Sequence, residues 1–374
     1  MATAQAAAEP DALGRIWSGY ARKVYGTYSP LNSALASAVS RSPELLDFVR
    51  SQPAHAHDPN MLLAAVQFLV LGGTDHPLAA VYGSHSYDDP ERLRGLLEAF
   101  CAQHSDELSS ILASRRIQTN EVGRATGLAL GLMCAAALIG EPLALIDAGA
   151  SAGLNLLMDE YQLRYGSRSQ IGPAEAEVRI DCAVEPQDLP IPSALPRFRK
   201  RAGLDRNPID LSDPDNARWL EACIWPGTGR QDRAAAAMRL MAGRDQLVQA
   251  GDMVADLPAL IDAMRPGPVA VVTSWSFSYL PEEERRAFEE VLAQAGRSEP
   301  VAWVCCDTAG VTQLFQPDTP PADDGDIPSV LGLAVFDGDR VRSHCLGYMH
   351  SHGLWVHWLN SDLTPAGRRT ATGA

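Results

Sequence analysis

Aromatic residues are scarce, 6% of 374, and basic side chains are outnumbered, 31 Lys and Arg against 46 Asp and Glu, for a formal charge of −15. A chain with that balance has no general basic face with which to neutralise a phosphate backbone, so nucleic acid is not an expected partner. The seven cysteines, at 101, 134, 182, 223, 305, 306 and 345, form no CxxC pair and keep no regular spacing. That excludes a zinc knuckle or a disulfide framework and points to reduced thiols. Long apolar runs are missing too. The longest uncharged one, 125–140, has 16 residues and is closed by Glu141 and Pro142, against the roughly 18 that a spanning helix needs. The opening MATAQAAAEP has no basic stretch ahead of an apolar one, so no leader is expected. These absences lead to an expectation of a cytoplasmic protein with no membrane partner. What the chain does have is a 46% hydrophobic fraction, enough for a large core and incompatible with a disordered, coiled-coil or collagen-like chain.

The apolar pattern changes character near residue 140. Before it, the spacing predicts helices only. Pro43–Arg50 follows a capping Ser42, 60–71 ends at a Gly-Gly pair, and helices at 89–101 and 105–115 precede one long helix over 119–139. After it, strand-length apolar runs at 143–148, 177–184, 197–204, 246–251, 268–275, 301–307, 331–337 and 342–359 alternate with helical stretches at 232–241 and 281–295. Asp337-Gly338-Asp339 between two apolar runs reads as a hairpin turn, and 317–328 as a polar loop. The expectation is an all-helical cap domain over 1–140. An α/β domain over 141–374 follows it, with an insertion at about 161–197. Its sheet is mainly parallel and Rossmann-like, with an antiparallel C-terminal hairpin.

The sharpest local motif is the turn Asp147-Ala148-Gly149-Ala150-Ser151-Ala152-Gly153-Leu154-Asn155. A dinucleotide-binding GxGxxG would need glycine at 151 and 154, where Ser151 and Leu154 stand. The letters fit a GxSxG nucleophile elbow, with Asp307 and the histidines at 344, 350, 352 and 357 downstream. That elbow, however, normally follows several earlier strands. The turn also resembles the cofactor loop of class I methyltransferases, an acid followed by a relaxed GxGxG. That resemblance implies S-adenosyl-L-methionine as cofactor, held by Asp147, Gly149, Ala150, Ser151, Gly153 and Asn155. A strand–helix turn with no ligand remains the plain alternative. Under the cofactor reading the ribose would take an acid at the end of the next strand. Asp205 is the first choice, with Asp181 and Asp210 behind it. Asp252 and Met253 would meet the adenine, a helix N-cap being the plain alternative for Asp252. The same resemblance implies a seventh, antiparallel strand inserted beside the fifth.

QTNEVGR (118–124), GASAGLN (149–155), GLDRNPID (203–210) and WLEACIWP (219–226) with Arg230 together resemble an uncharacterised bacterial domain-of-unknown-function family, described as methyltransferase-like, over roughly residues 10 to 360. The resemblance implies the fold but names no acceptor.

Two further clusters carry polar side chains in quantity. Gln118, Asn120 and Arg124 could bind a substrate and Glu121 act catalytically, or the segment could be a helix cap with an internal ion pair. After the strand at 268–275, Ser274 would touch the cofactor, Trp275 and Ser276 the acceptor, and Tyr279 would be catalytic. Alternatively these hydroxyls cap the helix at Pro281. Trp225 and Pro226 form a lid or simply pack. His344, His350, His352 and His357 lack a convergent ligand pattern, and no metal is expected. The functional expectation is methyl transfer from S-adenosylmethionine to an unidentified small-molecule or other acceptor. Behind it stand a non-catalytic cofactor-binding protein on the same fold and a hydrolase using Ser151.

Overall fold

The computed structural model describes residues 12–26, 28–244, 247–316 and 328–368. The polar loop expected at 317–328 lies, except for Pro328, outside the described residues.

The first part of the chain is helical, and local signals start most of its helices. These are α1 (Ala12–Gly19), α2 (Pro30–Arg41), α3 (Pro43–Arg50), α4 (Pro59–Leu71), α5 (Pro77–Ser84), α6 (Pro90–Gln103) and α7 (Ser105–Ser114). Five of them, α2 to α6, open on proline, whose missing N–H costs nothing there. In front of four, Ser42, Asp58, His76 and Asp89 accept the first free backbone N–H with their side chains. The expected helix from residue 119 starts later. Residues 118–121 are non-helical, Val122–Arg124 form a 3-10 turn, and α8 covers Ala125–Ile139.

The chain divides into two compact units, Met1–Thr119 with Asp213–Asp232, and Asn120–Ser212 with Arg233–Ala374. The boundary expected at 140 is thus moved to 119, because α8 packs on the sheet of the second unit. Segment 213–232, which carries α9 (Pro214–Ala222), returns to the helices. In the first unit Trp17, Tyr25, Leu35, Leu62 and Phe100 are fully buried. Trp219 of α9 meets Phe68 edge-on, with ring centroids 5.8 Å apart. Trp225 stands edge-on to Tyr25 at 5.0 Å and its indole N–H donates to Asn60 Oδ1 at 3.1 Å. Pro226 O accepts from Ser29 Oγ at 3.2 Å. Trp225 and Pro226 therefore pack within this unit.

The second unit holds an eleven-stranded sheet. In chain order its elements are β1 (Leu143–Ala148), β2 (Gln162–Tyr165), β3 (Ser169–Ile171), β4 (Arg179–Glu185), β5 (Phe198–Asp205), α10 (Arg230–Ala242), β6 (Val248–Ala250), α11 (Leu257–Met264), β7 (Val269–Ser274), α12 (Glu282–Gly296), β8 (Val301–Asp307), β9 (Ser329–Asp337), β10 (Arg340–Met349) and β11 (Trp355–Trp358). The spatial order is β3-β2-β4-β11-β10-β9-β8-β7-β1-β5-β6. The block β6-β5-β1-β7-β8 is parallel throughout. Strands β1, β7 and β8 are apolar on both faces, as a sheet covered on both sides requires. Ala144, Ile146, Ala148, Val271 and Trp303 face a core shared with Leu257, Ile261, Phe288 and Leu292 of α11 and α12. α8 covers β8 and β9. The stretch Val122–Ile139 is long and apolar enough to cross a bilayer by length and composition, so the 16-residue count understated it; 78% of it is buried inside the protein, as in a core helix.

The hairpin at 337–339 is present, with Arg340 paired to Asp337 across Gly338-Asp339. The inserted seventh strand is not. β9 lies directly beside β8, antiparallel, and β10 lies outside β9. The two-residue turn makes β9 and β10 neighbours, and it is the pairing of β8 with β9 that leaves β10 on the outer side. The run 342–359 is also two strands, not one. Residues 350–354 reverse the chain and β11 returns antiparallel to β10. In the stretch after β1, β2 and β3 form an antiparallel hairpin. Together with β4 it extends the far edge of the sheet, where β4 pairs parallel with β11.

Candidate functional site

β1 ends between β5 and β7, the point at which successive connections leave the sheet in opposite directions. Crevices in open α/β sheets form there, outside the carboxyl ends of the strands. The turn that follows is tightly specified. Gly149, Ser151 and Gly153 have φ of +88°, +54° and +77°. The N–H groups of Gly149 and Ala150 both donate to Leu204 O, at 2.8 and 3.2 Å. Asp205 Oδ2 accepts the Ser151 N–H at 2.8 Å, and its Oδ1 accepts Asn207 N–H at 2.8 Å. On leaving the turn, Leu154 N–H donates to Asn120 Oδ1 at 2.9 Å. Residues 154–160 then form a 3-10 helix rather than the α-helix expected to open at Gly153.

A cleft opens beside this turn, lined among others by Gly149, Asp205, Arg206, Met253, Ser276 and Tyr279. Four strands contribute to it: β1 through Gly149, β5 through Leu204 and Asp205, β6 through the following Gly251 and Met253, and β7 through the loop 276–280. Met253 is buried and Tyr279 is 78% exposed, at the rim. Ser276 Oγ donates to Ala148 O at 2.7 Å, which seats the β7 loop against the end of β1. A Cβ on Gly149 would stand 2.2 Å from Ser276 Cβ, so it is the Ser276 side chain that excludes one there.

Several expected residues sit elsewhere. Asp252 does not line the cleft. It bonds Val254 and Ala255 N–H through Oδ1 and Arg206 through Oδ2. Burial pushes its carboxyl up, but the Ala255 and Val254 amides and Arg206 outweigh that and hold it below the usual range. Asp181 lies on β4, paired with Arg164 at 2.6 Å, and Asp210 is exposed and bonded to Ser212 N–H. Gln118 belongs to the first unit. Ala150 is wholly buried, and Gly153 is packed toward Val248 and Met241.

Glu121 is buried, accepting Gly123 N–H at 2.8 Å and pairing with Arg233 at 2.9 Å; His352 Nδ1 is 3.3 Å from its second oxygen. Arg124, also buried, donates to Ser351 O at 2.9 Å and Ser274 O at 3.0 Å, and stacks its guanidinium 5.5 Å over Trp275. Ser274 Oγ accepts from Arg124 at 3.3 Å, and Trp275 Nε1 donates to Ser329 Oγ at 2.6 Å. Arg124 thus joins the half-buried Ser274 and Trp275 in one polar cluster, while the Glu121 side chain is held by Arg233 and Gly123 N–H.

Three atoms of the glycine turn have no such partners. Among the described residues, Asp147 Oδ1, Ser151 Oγ and Asn155 Oδ1 are buried with no hydrogen bond. Burial, with the charge of Asp205, pushes the Asp147 carboxyl up to about 7, against a lowering pull from Arg124. The sequence reading missed Arg206. It spans the mouth, bonding Asp252 at 2.7 Å and Glu284 at 2.8 Å. Its position directly after Asp205 was the available signal.

A family described as "Uncharacterized protein conserved in bacteria (DUF2332)" matches residues 17–358. This chain belongs to that family. The match spans both compact units, so in DUF2332 the helical unit and the sheet unit come as one assembly of sequence. No curated protein and no solved structure matches the chain.

Proposed function

We propose that the cleft at the carboxyl ends of β1, β5, β6 and β7 binds S-adenosylmethionine, and that the protein transfers its methyl group to an acceptor. The observation that carries this reading is the lining: Gly149, Asp205 and Met253, three of the residues expected to hold the cofactor, share one cleft. Asp205 would take ribose hydroxyls with the lone pairs its two backbone hydrogen bonds leave open, a carboxylate having about four acceptor sites. Met253 supplies a polarisable apolar surface for a base. S-adenosylmethionine brings the chemistry itself, a methyl group on a positively charged sulfur. The chain's part is to hold and orient, which alone removes much of a bimolecular barrier.

Binding without transfer is the second reading, and the placement of the two expected catalytic residues favours it. Glu121 is committed to Arg233 and Gly123 N–H, and Tyr279 is mostly exposed. The Ser151 hydrolase finds no support, since the base that activates a nucleophilic serine would have to be bonded to Ser151 Oγ. Calorimetric titration with S-adenosylmethionine and its demethylated product tests the binding. Failure of both to bind at about millimolar concentration, equivalent to less than about 4 kcal/mol, would remove the proposal. Formation of demethylated product with candidate acceptors separates transfer from binding alone.

A further inference from the structure

Arg206 lines the cleft directly after Asp205, and holding a ligand gives it no part. Its Nε donates to Asp252 Oδ2 at 2.7 Å, and its Nη2 lies 2.6 Å from the same oxygen. Nη2 also donates to Glu284 Oε2 at 2.8 Å. Those two carboxylates come from opposite walls. Asp252 stands just after β6, and Glu284 lies in the first turn of α12, which follows β7. Strands β1 and β5 lie between β6 and β7 in the sheet. The two wall strands therefore run three strand spacings, roughly 14 Å, apart. Beyond their ends a single nitrogen, Arg206 Nη2, meets an oxygen from each wall. The walls lean together over the carboxyl ends of β1 and β5 and join at the mouth.

Packing already links these walls lower down, where α11 contacts α12. The side chains at the mouth are 56% exposed for Arg206, 28% for Asp252 and 39% for Glu284. Exposed pairs of this kind bias an equilibrium by no more than about fivefold each. That is enough to keep the mouth closed most of the time and little enough to let it open readily. Neutral pH does not work such a device. Hydrogen bonds to Asp252 and Glu284 push the Arg206 guanidinium further up. Against the upward pull of burial, the Ala255 and Val254 amides and Arg206 hold Asp252 below the usual range. Salt does work it, because a screened pair loses attraction. We propose that Arg206, Asp252 and Glu284 form an ionic strap over the mouth of the cleft, which parts to admit a ligand, closes again behind it and is loosened by salt. This rests on reading the cleft as the ligand site, and it governs access for whichever ligand the cleft takes.

The first measurement needs no ligand. Met253 lines the cleft and is 7% exposed, and Met264 of α11, 5% exposed, serves as the internal control. Dilute hydrogen peroxide is applied to the full chain, and sulfoxide at each methionine is followed by peptide mass spectrometry. Met253 oxidation in the wild type is expected to quicken about threefold to fivefold between low salt and about 0.5 M sodium chloride. Arg206→Gln should start at the fast rate and lose the salt dependence. Arg286→Gln removes the same charge from a pair with Glu282 on α12 and should behave as the wild type. Met264 should hold one rate throughout. The second measurement is the binding kinetics of 5′-methylthioadenosine by surface plasmon resonance. That nucleoside is neutral, so salt has no long-range attraction to screen. Arg206→Gln should raise its association and dissociation rate constants by the same factor, about threefold to fivefold, and leave the dissociation constant unchanged. A rise in the dissociation rate alone would make Arg206 a ligand contact and overturn the strap. So would Met253 oxidation in Arg206→Gln that stays at wild-type speed or keeps the salt dependence. Failure of the nucleoside to bind counts against the S-adenosylmethionine reading and not against the strap, which the oxidation rates then decide alone.

Discussion

Asp205 Oδ2 accepts the backbone N–H of Ser151 at 2.8 Å, so the acid that ends β5 also fixes the turn that ends β1. One carboxylate therefore shapes the cleft and lines it. Asp205→Ala should destabilise the protein by about 1–3 kcal/mol, because the Ser151 N–H loses its acceptor, and should weaken S-adenosylmethionine at least about tenfold. Asp205→Asn keeps an acceptor oxygen and should recover most of the stability. Thermal denaturation read beside calorimetry checks this; equal losses of stability in the two variants would contradict it.

Gly149→Ala should cost about 2–4 kcal/mol, since it adds a side chain at positive φ and presses it against Ser276. In a Ser276→Gly background the contact is gone, and the penalty should shrink by at least about 1 kcal/mol. A double-mutant cycle in urea measures the difference, and strict additivity would show that the contact is not the cause.

The Asp147 carboxyl has a folded-state value of about 7, raised from an ordinary 3.8. The stability its proton gives is complete below the unfolded value and is lost as pH rises through about 7. Asp147→Asn should flatten that loss and, at pH 8, exceed the wild type by on the order of 2 kcal/mol. Denaturant midpoints between pH 5 and 8 are the measurement. Parallel curves for the two proteins would show that Asp147 does not titrate in this range.

Glu121 and Arg233 pair with side-chain exposures of 3% and 14%. Removing one partner of such a pair strands the other's charge, at about 3–5 kcal/mol. Glu121→Leu should lose that much stability. Glu121→Gln should lose less and leave S-adenosylmethionine affinity unchanged. A large drop in affinity for the Gln variant with stability intact would return Glu121 to the site.

Ser151→Ala should lower S-adenosylmethionine affinity by no more than about fivefold, one hydrogen bond's worth. Activated-ester hydrolysis by the wild type that the substitution abolishes would restore the hydrolase reading.

The strand–helix alternation after residue 140 and the DG hairpin were legible because they are local, set by runs and turn residues. Asp205 was expected from its place at a strand end, although that strand, Phe198–Asp205, carries three consecutive basic residues and is not apolar. What sequence spacing could not supply was the pairing of distant segments. Nothing around Val184 says that its strand belongs beside Val356. The side on which β10 lies depends on what already occupies the edge of β8. Asp252 fitted two roles, and spacing could not show that Arg206, 46 residues away in sequence, bonds it. Glu121 looked reactive because burial, invisible in a string of letters, decides whether a carboxylate serves chemistry or an ion pair.

The pairing of β4 with β11 sets Ala183 beside Trp355, near the two ends of the sheet-forming sequence. During synthesis β2, β3 and β4 emerge long before their neighbour exists, and the edge that β11 will cover stays unpaired until the last strand leaves the ribosome. Bringing segments so far apart together is slow, since the chain entropy must be lost before the contact rewards it. Truncation just before β11 would leave that edge open to pairing with other chains. The order in which this sheet can be completed is therefore set by its final strand.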